Sequence, residues 1–485
     1  MRHLSSLVLR CCGWLLAGSL TWAQGGLSGT TVLVGGTVVD VTAWGKSAHD
    51  MRNAAVVIHE GRITEVAPLA SVNIPKGAHV VDCTGKFLLP GLIDGYAAMS
   101  SQAQASANLF MGVTTVVARN SRMHGRVDLA AHPSPHLYLI DSAGVTDDWS
   151  LLAARNPQWA ERLRERGPQA ELPPQETARQ IIDTARQGTR VLFLGPHLRA
   201  ANTQAIIARA HQAGLVTYGE FVATPYQVGI EADVDALPQM GHYELGAIPQ
   251  ELQRPLVEGP EGAAATTAFD YAGRVPPTDV RLRNYARFVA SHHAALMPSF
   301  SMRYVNLPEH RNLWKEPAAV LLNPAQLYDP TNPATGEMNY PIPNWAQRLP
   351  AAGQRWVREG QHRKADQRVF RLWKINETLF AAYPHYLAAS GAPLHGAMPG
   401  ISLHTELELL VRLGLSPREA LAASTNNYAL QFGWTELGLI APGRRADILV
   451  VDADPTANIW NARRIHLLLL DGTFIDREAL LHLRR

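Results

Sequence analysis

The side chains of this 485-residue chain that could move protons are a glutamate, a histidine and an aspartate set among tyrosines. Glu220 lies in Tyr218-Gly-Glu-Phe221, His242 opens His242-Tyr-Glu244, and Asp94 and Tyr96 share Leu92-Ile-Asp-Gly-Tyr-Ala97. If the fold brings these segments to one point, Glu220 and His242 are the candidate catalytic pair, because burial beside tyrosines tunes a carboxylate towards neutral pH. Tyr96, Tyr218, Gln239, Tyr243 and Ser299 are the candidate substrate-binding residues, the three tyrosines suiting sugar, peptide or aromatic ligands. The plainer alternative is a polar network that only satisfies a folded interior. Ser299 and Ser301 carry no nucleophile-activating motif, which argues against a serine hydrolase.

Metal chemistry would need several histidines or carboxylates to converge. His242, His292, His293, His395, His404 and Glu406 are of the right types. The His-x-Glu at 242–244 is weak as a motif, His292 and His293 end a helical pattern where cations favour the macrodipole, and His404 sits on the amphipathic pattern 401–412. No metal ligand is assigned and no cofactor is expected, with zinc at a site of relocated ligands kept as the alternative. Of the three cysteines, Cys11 and Cys12 fall in a segment expected to be removed, which leaves Cys83 as an inert buried thiol without a disulfide partner.

The elements that must position these residues are of two kinds. From residue 31 to about 89 the pattern is short and β-like, as in Val32-Leu-Val34, Ala55-Val-Val-Ile58 and Arg62-Ile-Thr-Glu-Val66, with a tight hairpin at His59-Glu-Gly-Arg62. The runs Asp447-Ile-Leu-Val-Val-Asp452 and Ile465-His-Leu-Leu-Leu-Leu-Asp471 supply partners from the far end of the chain. A composite β-sandwich from 24–88 and 437–485 is therefore expected, since a small sheet must bury a face.

Between them, strands and helices alternate. Val113-Thr-Thr-Val-Val117, Leu137-Tyr-Leu-Ile140, Arg190-Val-Leu-Phe-Leu194, Leu215-Val-Thr-Tyr218 and Leu296-Met-Pro-Ser299 read as strands, and 176–187, 203–213 and 281–293 as helices. Ser416-Pro-Arg-Glu419 is a capping box with proline at the first helical position. About eight such units make an α/β fold, a TIM (β/α)8 barrel over 89–436 with active-site loops at the strand C-termini. The stretch 303–354, rich in Pro, Asn, Trp and Tyr, breaks the rhythm, as an insertion on the barrel side or a lid over its mouth.

Composition sets outer limits. Hydrophobic residues are 46% and charged residues 18% of the chain, a globular balance without disordered bias. Residues 1–23 read as a signal peptide, with Arg2, His3 and Arg10 around a short apolar run and Thr21-Trp-Ala23 as the cleavage point, so a periplasmic or secreted protein is expected. Without Arg2 and Arg10 the count falls from 44 basic residues to 42, against 42 acidic ones, and a neutral chain has no footprint for nucleic acid. No segment is long and apolar enough for a membrane span. The expected partner is a small-molecule or peptide-like ligand, with a homo-oligomer left open.

A resemblance covers nearly all of the expected mature chain. Leu33-Val-Gly-Gly-Thr-Val-Val-Asp40, Leu88-Leu-Pro-Gly-Leu-Ile-Asp94, Leu413-Gly-Leu-Ser-Pro-Arg-Glu-Ala-Leu-Ala-Ala-Ser-Thr-Asn426 and Leu437-Gly-Leu-Ile-Ala-Pro-Gly-Arg-Arg-Ala-Asp-Ile-Leu-Val-Val-Asp-Ala-Asp-Pro455 resemble the amidohydrolase superfamily, most closely its imidazolonepropionase- and prolidase-like members. The resemblance implies hydrolysis of a non-peptide C–N or related bond, with zinc held by His-x-His after strand 1, a carboxylated Lys or Glu on strand 4, histidines after strands 5 and 6, and an Asp after strand 8. At those places this chain carries Tyr96 and Ala98, Phe193, Glu220, Gln239 and Gly391. The metal route is therefore not expected. Either activity is non-standard, or the barrel is catalytically inactive and binds a small ligand or partner protein.

Overall fold

The computed structural model describes residues 29–118, 133–143, 152–153, 157–165, 172–249, 275–307, 309–328 and 331–482. The expected signal peptide lies outside the described residues. The chain opens with β1 (Thr31–Val38), β2 (Met51–His59), β3 (Arg62–Pro68), β4 (His79–Asp82) and β5 (Phe87–Pro90). The β2–β3 hairpin turns through Glu60 and Gly61, both at positive φ, the geometry that matches the twist of paired strands.

Seven strands then form a parallel sheet in chain order: β6 (Leu92–Ala97), β7 (Val113–Ala118), β8 (His136–Ser142), β9 (Thr189–Leu194), β10 (Val216–Gly219), β11 (Ala236–Pro238) and β12 (Ala295–Met297). Side chains alternate across it. Val191 and Phe193, Val216 and Tyr218, and Ala295 and Met297 belong to one interior cluster, whereas Leu192, Leu194 and Leu296 join the core under the surrounding helices.

The gap between β12 and β6 is closed by 385–392. Leu296 N–H donates to His385 O and Leu387 N–H to Leu296 O on one side. On the other, Gly95 N–H donates to Ala388 O, Gly391 N–H to Tyr96 O and Ala98 N–H to Ala392 O. This Ala/Ser/Gly stretch fills the eighth strand's place in the barrel.

The last strands, β13 (Ile448–Val451), β14 (Ile465–Leu470) and β15 (Thr473–Phe474), return to the first sheet in the order β15-β14-β13-β5-β1-β2-β3. β4 and β5 pair with different stretches of β1, so the expected sandwich takes the form of one mixed sheet that forks at β1. β13 is buried on both faces: Ile448 and Val450 join the core of this sheet, Leu449 and Val451 that of the barrel. One residue, Gly91, separates β5 in this sheet from β6 in the barrel.

The described α-helices of six or more residues are α1 (Gln102–Phe110), α2 (Pro157–Glu165), α3 (Pro174–Asp183), α4 (Ala200–Gln212), α5 (Tyr226–Glu231), α6 (Val280–Ala290), α7 (Ala351–Phe380), α8 (Ile401–Leu413), α9 (Pro417–Ala423) and α10 (Asn426–Phe432). The capping box before α9 forms as the sequence requires. None of the described helices is long and apolar enough to cross a membrane.

The described parts of 303–354 form short 3-10 turns whose Leu313, Ala318, Ala319, Leu321 and Leu322 pack into the barrel-side core. Residues 313–322 thus pack against the barrel wall, and Tyr328 reaches the mouth, its N–H donating to Pro393 O. The 30-residue helix α7 that follows has no counterpart in the sequence reading. Its second half is anchored by Val369, Leu372, Trp373, Ile375 and Leu379, all buried at helical spacing.

Candidate functional site

The strand C-termini converge at the barrel mouth, and the interior below them is aromatic. The Tyr96 ring stacks on Phe193 with centroids 6.3 Å apart and lies 6.4 Å from that of Tyr218. Tyr218 donates its hydroxyl to Gly95 O at 3.1 Å, and burial pushes its phenol far above the ordinary range, so it stays neutral. Tyr96 OH accepts from Gln239 Nε2 at 3.2 Å. Gln239 holds φ +68°, a conformation costly for a non-glycine residue, with its N–H fixed on Met297 O at 2.8 Å.

Glu220 and His242 follow the neighbouring strands β10 and β11, and their side chains meet, Glu220 Oε1 against His242 Nδ1. The Glu220 N–H is pinned to Leu194 O at 3.0 Å, and the His242 N–H donates to Gln239 O at 3.3 Å. Glu244, close by, is buried and accepts from Gly241 N–H and Asn376 Nδ2, each at 2.6 Å. Burial pushes its carboxyl up to about 7, against the pull of those hydrogen bonds and of His242. The His-x-Glu spacing was the only signal for this second carboxyl, since its partner Asn376 lies 132 residues away in the sequence.

The other expected residues fall in different places. Tyr243 is fully buried and donates to Asn376 Oδ1 at 2.6 Å, so it anchors α7 and does not face the mouth. Asp94 is not drawn to Glu220 either: its oxygens accept the Ser390 N–H and hydroxyl and the Tyr96 N–H, and burial lifts its carboxyl to about 6. Ser299, at φ +50°, is buried with its hydroxyl lacking a hydrogen-bond partner among the described residues, the kind of group a ligand or water completes. His404 is buried with Nε2 on Met111 O, burial holding it neutral with a pKa of about 3, and Glu406 accepts the Ser301 N–H at 2.7 Å.

A cleft of about 370 Å³ opens beside Tyr96, lined among others by Ala98, Tyr328, Gly391, Asp141 and Arg186, with neither Glu220 nor His242 among its lining residues. Its charged lining residues, Asp141 and Arg186, are bonded to each other in a two-pronged pair at 2.8 and 3.0 Å. Gly391, at φ +66°, has no room for a side chain, because a β-carbon there would overlap the Met302 sulfur. Glu220 and His242 therefore offer a metal ion two donors where a catalytic zinc takes three protein ligands. Among the described residues one trio of histidine, cysteine or carboxylate groups has its ligand atoms within 4.8 Å of one another, and it lies elsewhere: His136, Asp447 and Asp471. The donor set of the mouth does not fit the ion.

Comparison with known proteins adds independent findings. The sequence profile of the amidohydrolase family matches residues 389–475. A 68-residue stretch, 14% of this chain, is 49% identical to adenine deaminase 2 of Agrobacterium fabrum (strain C58 / ATCC 33970) and spans 11% of that protein. Over 80 residues, 14% of this chain, identity to the imidazolonepropionase of Deinococcus deserti (strain DSM 17065 / CIP 109153 / LMG 22923 / VCD115) is 39%, across 20% of its length. In fold, the chain superposes on a putative prolidase from Bifidobacterium longum with a TM-score of 0.57 at 19% identity, covering 94% of this chain and 98% of the other.

Proposed function

We propose that the chain, similar over residues 389–475 to the amidohydrolase family, is a member of that superfamily and hydrolyses a non-peptide C–N bond of a small molecule or short peptide derivative at the barrel mouth, with Glu220 and His242 moving the protons. The observation that carries this reading is the contact between those two side chains at the ends of adjacent strands. The route uses Glu220 in its carboxylate form and His242 in its protonated form. Glu220 takes a proton from water as the water oxygen bonds to the acyl carbon. The C–N bond then breaks, and the leaving nitrogen takes its proton from His242. The proton on Glu220 passes to His242 through their contact, which restores both groups. Gln239, Tyr96 and the Ser299 hydroxyl would orient the substrate, and Tyr328 would cover it.

A second reading, a catalytically inactive barrel that binds a ligand, is favoured by the aromatic interior of Tyr96, Phe193 and Tyr218 and by a cleft whose charges neutralise each other. Export by residues 1–23 belongs to the proposal in either case, and amino-terminal sequencing of the exported protein tests it. The deciding experiment assays chelator-treated protein on N-acyl amino acids, short peptide derivatives, carbamates and cyclic amides. Turnover lost in Glu220→Gln and His242→Ala supports the acid–base route, and turnover only after adding a divalent metal overturns it. Saturable binding without turnover establishes the second reading.

A further inference from the structure

We propose a divalent-cation site, distinct from the barrel mouth, at the opposite end of the barrel, built from His136, Asp447 and Asp471. The three come from separate parts of the chain. His136 is the first residue of β8, Asp447 directly precedes β13, and Asp471 sits in the turn between β14 and β15. Two hydrogen bonds from main-chain N–H groups hold the aspartates together: the Asp471 N–H donates to the side-chain Asp447 Oδ1, and Gly472 N–H to Ala446 O, each at 2.9 Å.

The spacing is that of ligands around a metal. His136 Nε2 lies 3.3 Å from Asp447 Oδ2, 3.4 Å from Asp447 Oδ1 and 3.4 Å from Asp471 Oδ2. Good N–H···O bonds fall at about 2.7–3.2 Å, so none of these contacts is a strong one. Zinc bonds of about 2.0–2.1 Å place tetrahedral ligands roughly 3.3–3.4 Å apart, which matches.

Burial is the independent observation. Asp447 is only 7% exposed, and among the described residues its Oδ2 accepts no hydrogen bond although it points at the imidazole. A buried carboxylate oxygen in that state is costly, and a cation between it and the histidine would satisfy it. Arg445 Nε stands 3.3 Å from the same oxygen, without hydrogen-bond geometry, and offsets one of the two negative charges. Asp471 is half exposed, which leaves a side open to solvent for the ion's arrival and for a water as fourth ligand.

The donor set of one imidazole and two carboxylates selects a zinc-like transition cation over calcium, which prefers oxygen alone. Bound there, the ion would clamp the start of β8 to the mixed sheet, so its role is structural and independent of turnover at Glu220 and His242. The test is calorimetric titration of the chelator-treated full chain with zinc chloride, with thermal unfolding in parallel. One site is expected, with a rise in Tm of about 3 °C at a hundredfold excess over Kd. His136→Ala and the half-exposed Asp471→Asn should each remove the site while the protein stays folded, and His242→Ala should leave it intact. No binding by the wild type, or binding lost in His242→Ala but kept in Asp471→Asn, would overturn the proposal.

Discussion

The sulfur of Met302 occupies the space that a side chain on residue 391 would need. Gly391 is held there at φ +66°, with the Ser299 β-carbon 3.5 Å from the position of the missing one. Family resemblance would put a proton-carrying aspartate at this place, so the packing explains a departure visible in the sequence. Gly391→Ala should cost about 2–4 kcal/mol, from the positive φ and from overpacking against Met302. Pairing it with Met302→Ala should recover the packing part only. Denaturant unfolding of the single and double variants measures both, and a neutral Gly391→Ala would mean that Met302 moves aside freely.

Three buried carboxyls give the fold a pH dependence of known sign. Burial raises Glu406 to about 8, Glu244 to about 7 and Asp94 to about 6. Each is protonated in the folded state where the unfolded chain has lost its proton, so its stabilisation is complete below the unfolded pKa and is lost as pH rises through the folded value. Buried neutral His404 works the other way, but its effect is complete above its unfolded value of 6.5. Between pH 7 and 8, Glu406 should therefore contribute a fall of up to about 1.4 kcal/mol per pH unit. Glu406→Gln should be favoured over the wild type by about 2–4 kcal/mol more at pH 8 than at pH 5. Urea unfolding at the two pH values reads the difference, and parallel curves would show that Glu406 titrates normally.

What the sequence made legible follows from periodicity. The barrel strands were visible because inward and outward residues alternate, as at Val191 and Leu192, and α9 because Ser416 and Glu419 cap it locally. The meeting of Glu220 and His242 could be foreseen because each follows one of two adjacent strands. α7 escaped notice because its first half is polar on nearly every side, with Val357 its one buried residue before Val369, so no apolar stripe marks it. The eighth strand's place was reached through the family resemblance at Gly391 and not through periodicity, because 387–392 is Leu-Ala-Ala-Ser-Gly-Ala, without the β-branched residues that mark a strand. Tyr243 was misplaced because neighbours in a 3-10 turn point in different directions, and His242 took the side facing Glu220.

Tyr328 separates binding from chemistry. It is 57% exposed yet lines the cleft, so little folding energy depends on its ring. Tyr328→Ala should change stability by no more than about 0.5 kcal/mol. For a substrate found by the panel, KM should rise several-fold with kcat nearly unchanged, the pattern of lost uniform binding. An equal fall in kcat and kcat/KM would place Tyr328 at the transition state instead.

Asn376 is the joint between α7 and the candidate pair. Its Oδ1 accepts the Tyr243 hydroxyl, and its Nδ2 donates to Glu244 and to Leu372 O, all inside the protein. Asn376→Ala would leave a phenol and a carboxyl buried with an unmet hydrogen bond each, at a cost of about 2–4 kcal/mol. Asn376→Asp keeps the acceptor for Tyr243 but sets an acid against Glu244. Because Glu244 is already raised to about 7, that variant should survive at pH 5, where the carboxyls can share a proton, and lose stability steeply above pH 7. The Glu244→Gln exchange on the same background removes one of the two acids, and the steep loss should go with it. Thermal unfolding of the three variants across pH 5–8 decides the matter: a loss in Asn376→Asp that does not depend on pH would show that shape, and not charge, holds α7 beneath His242.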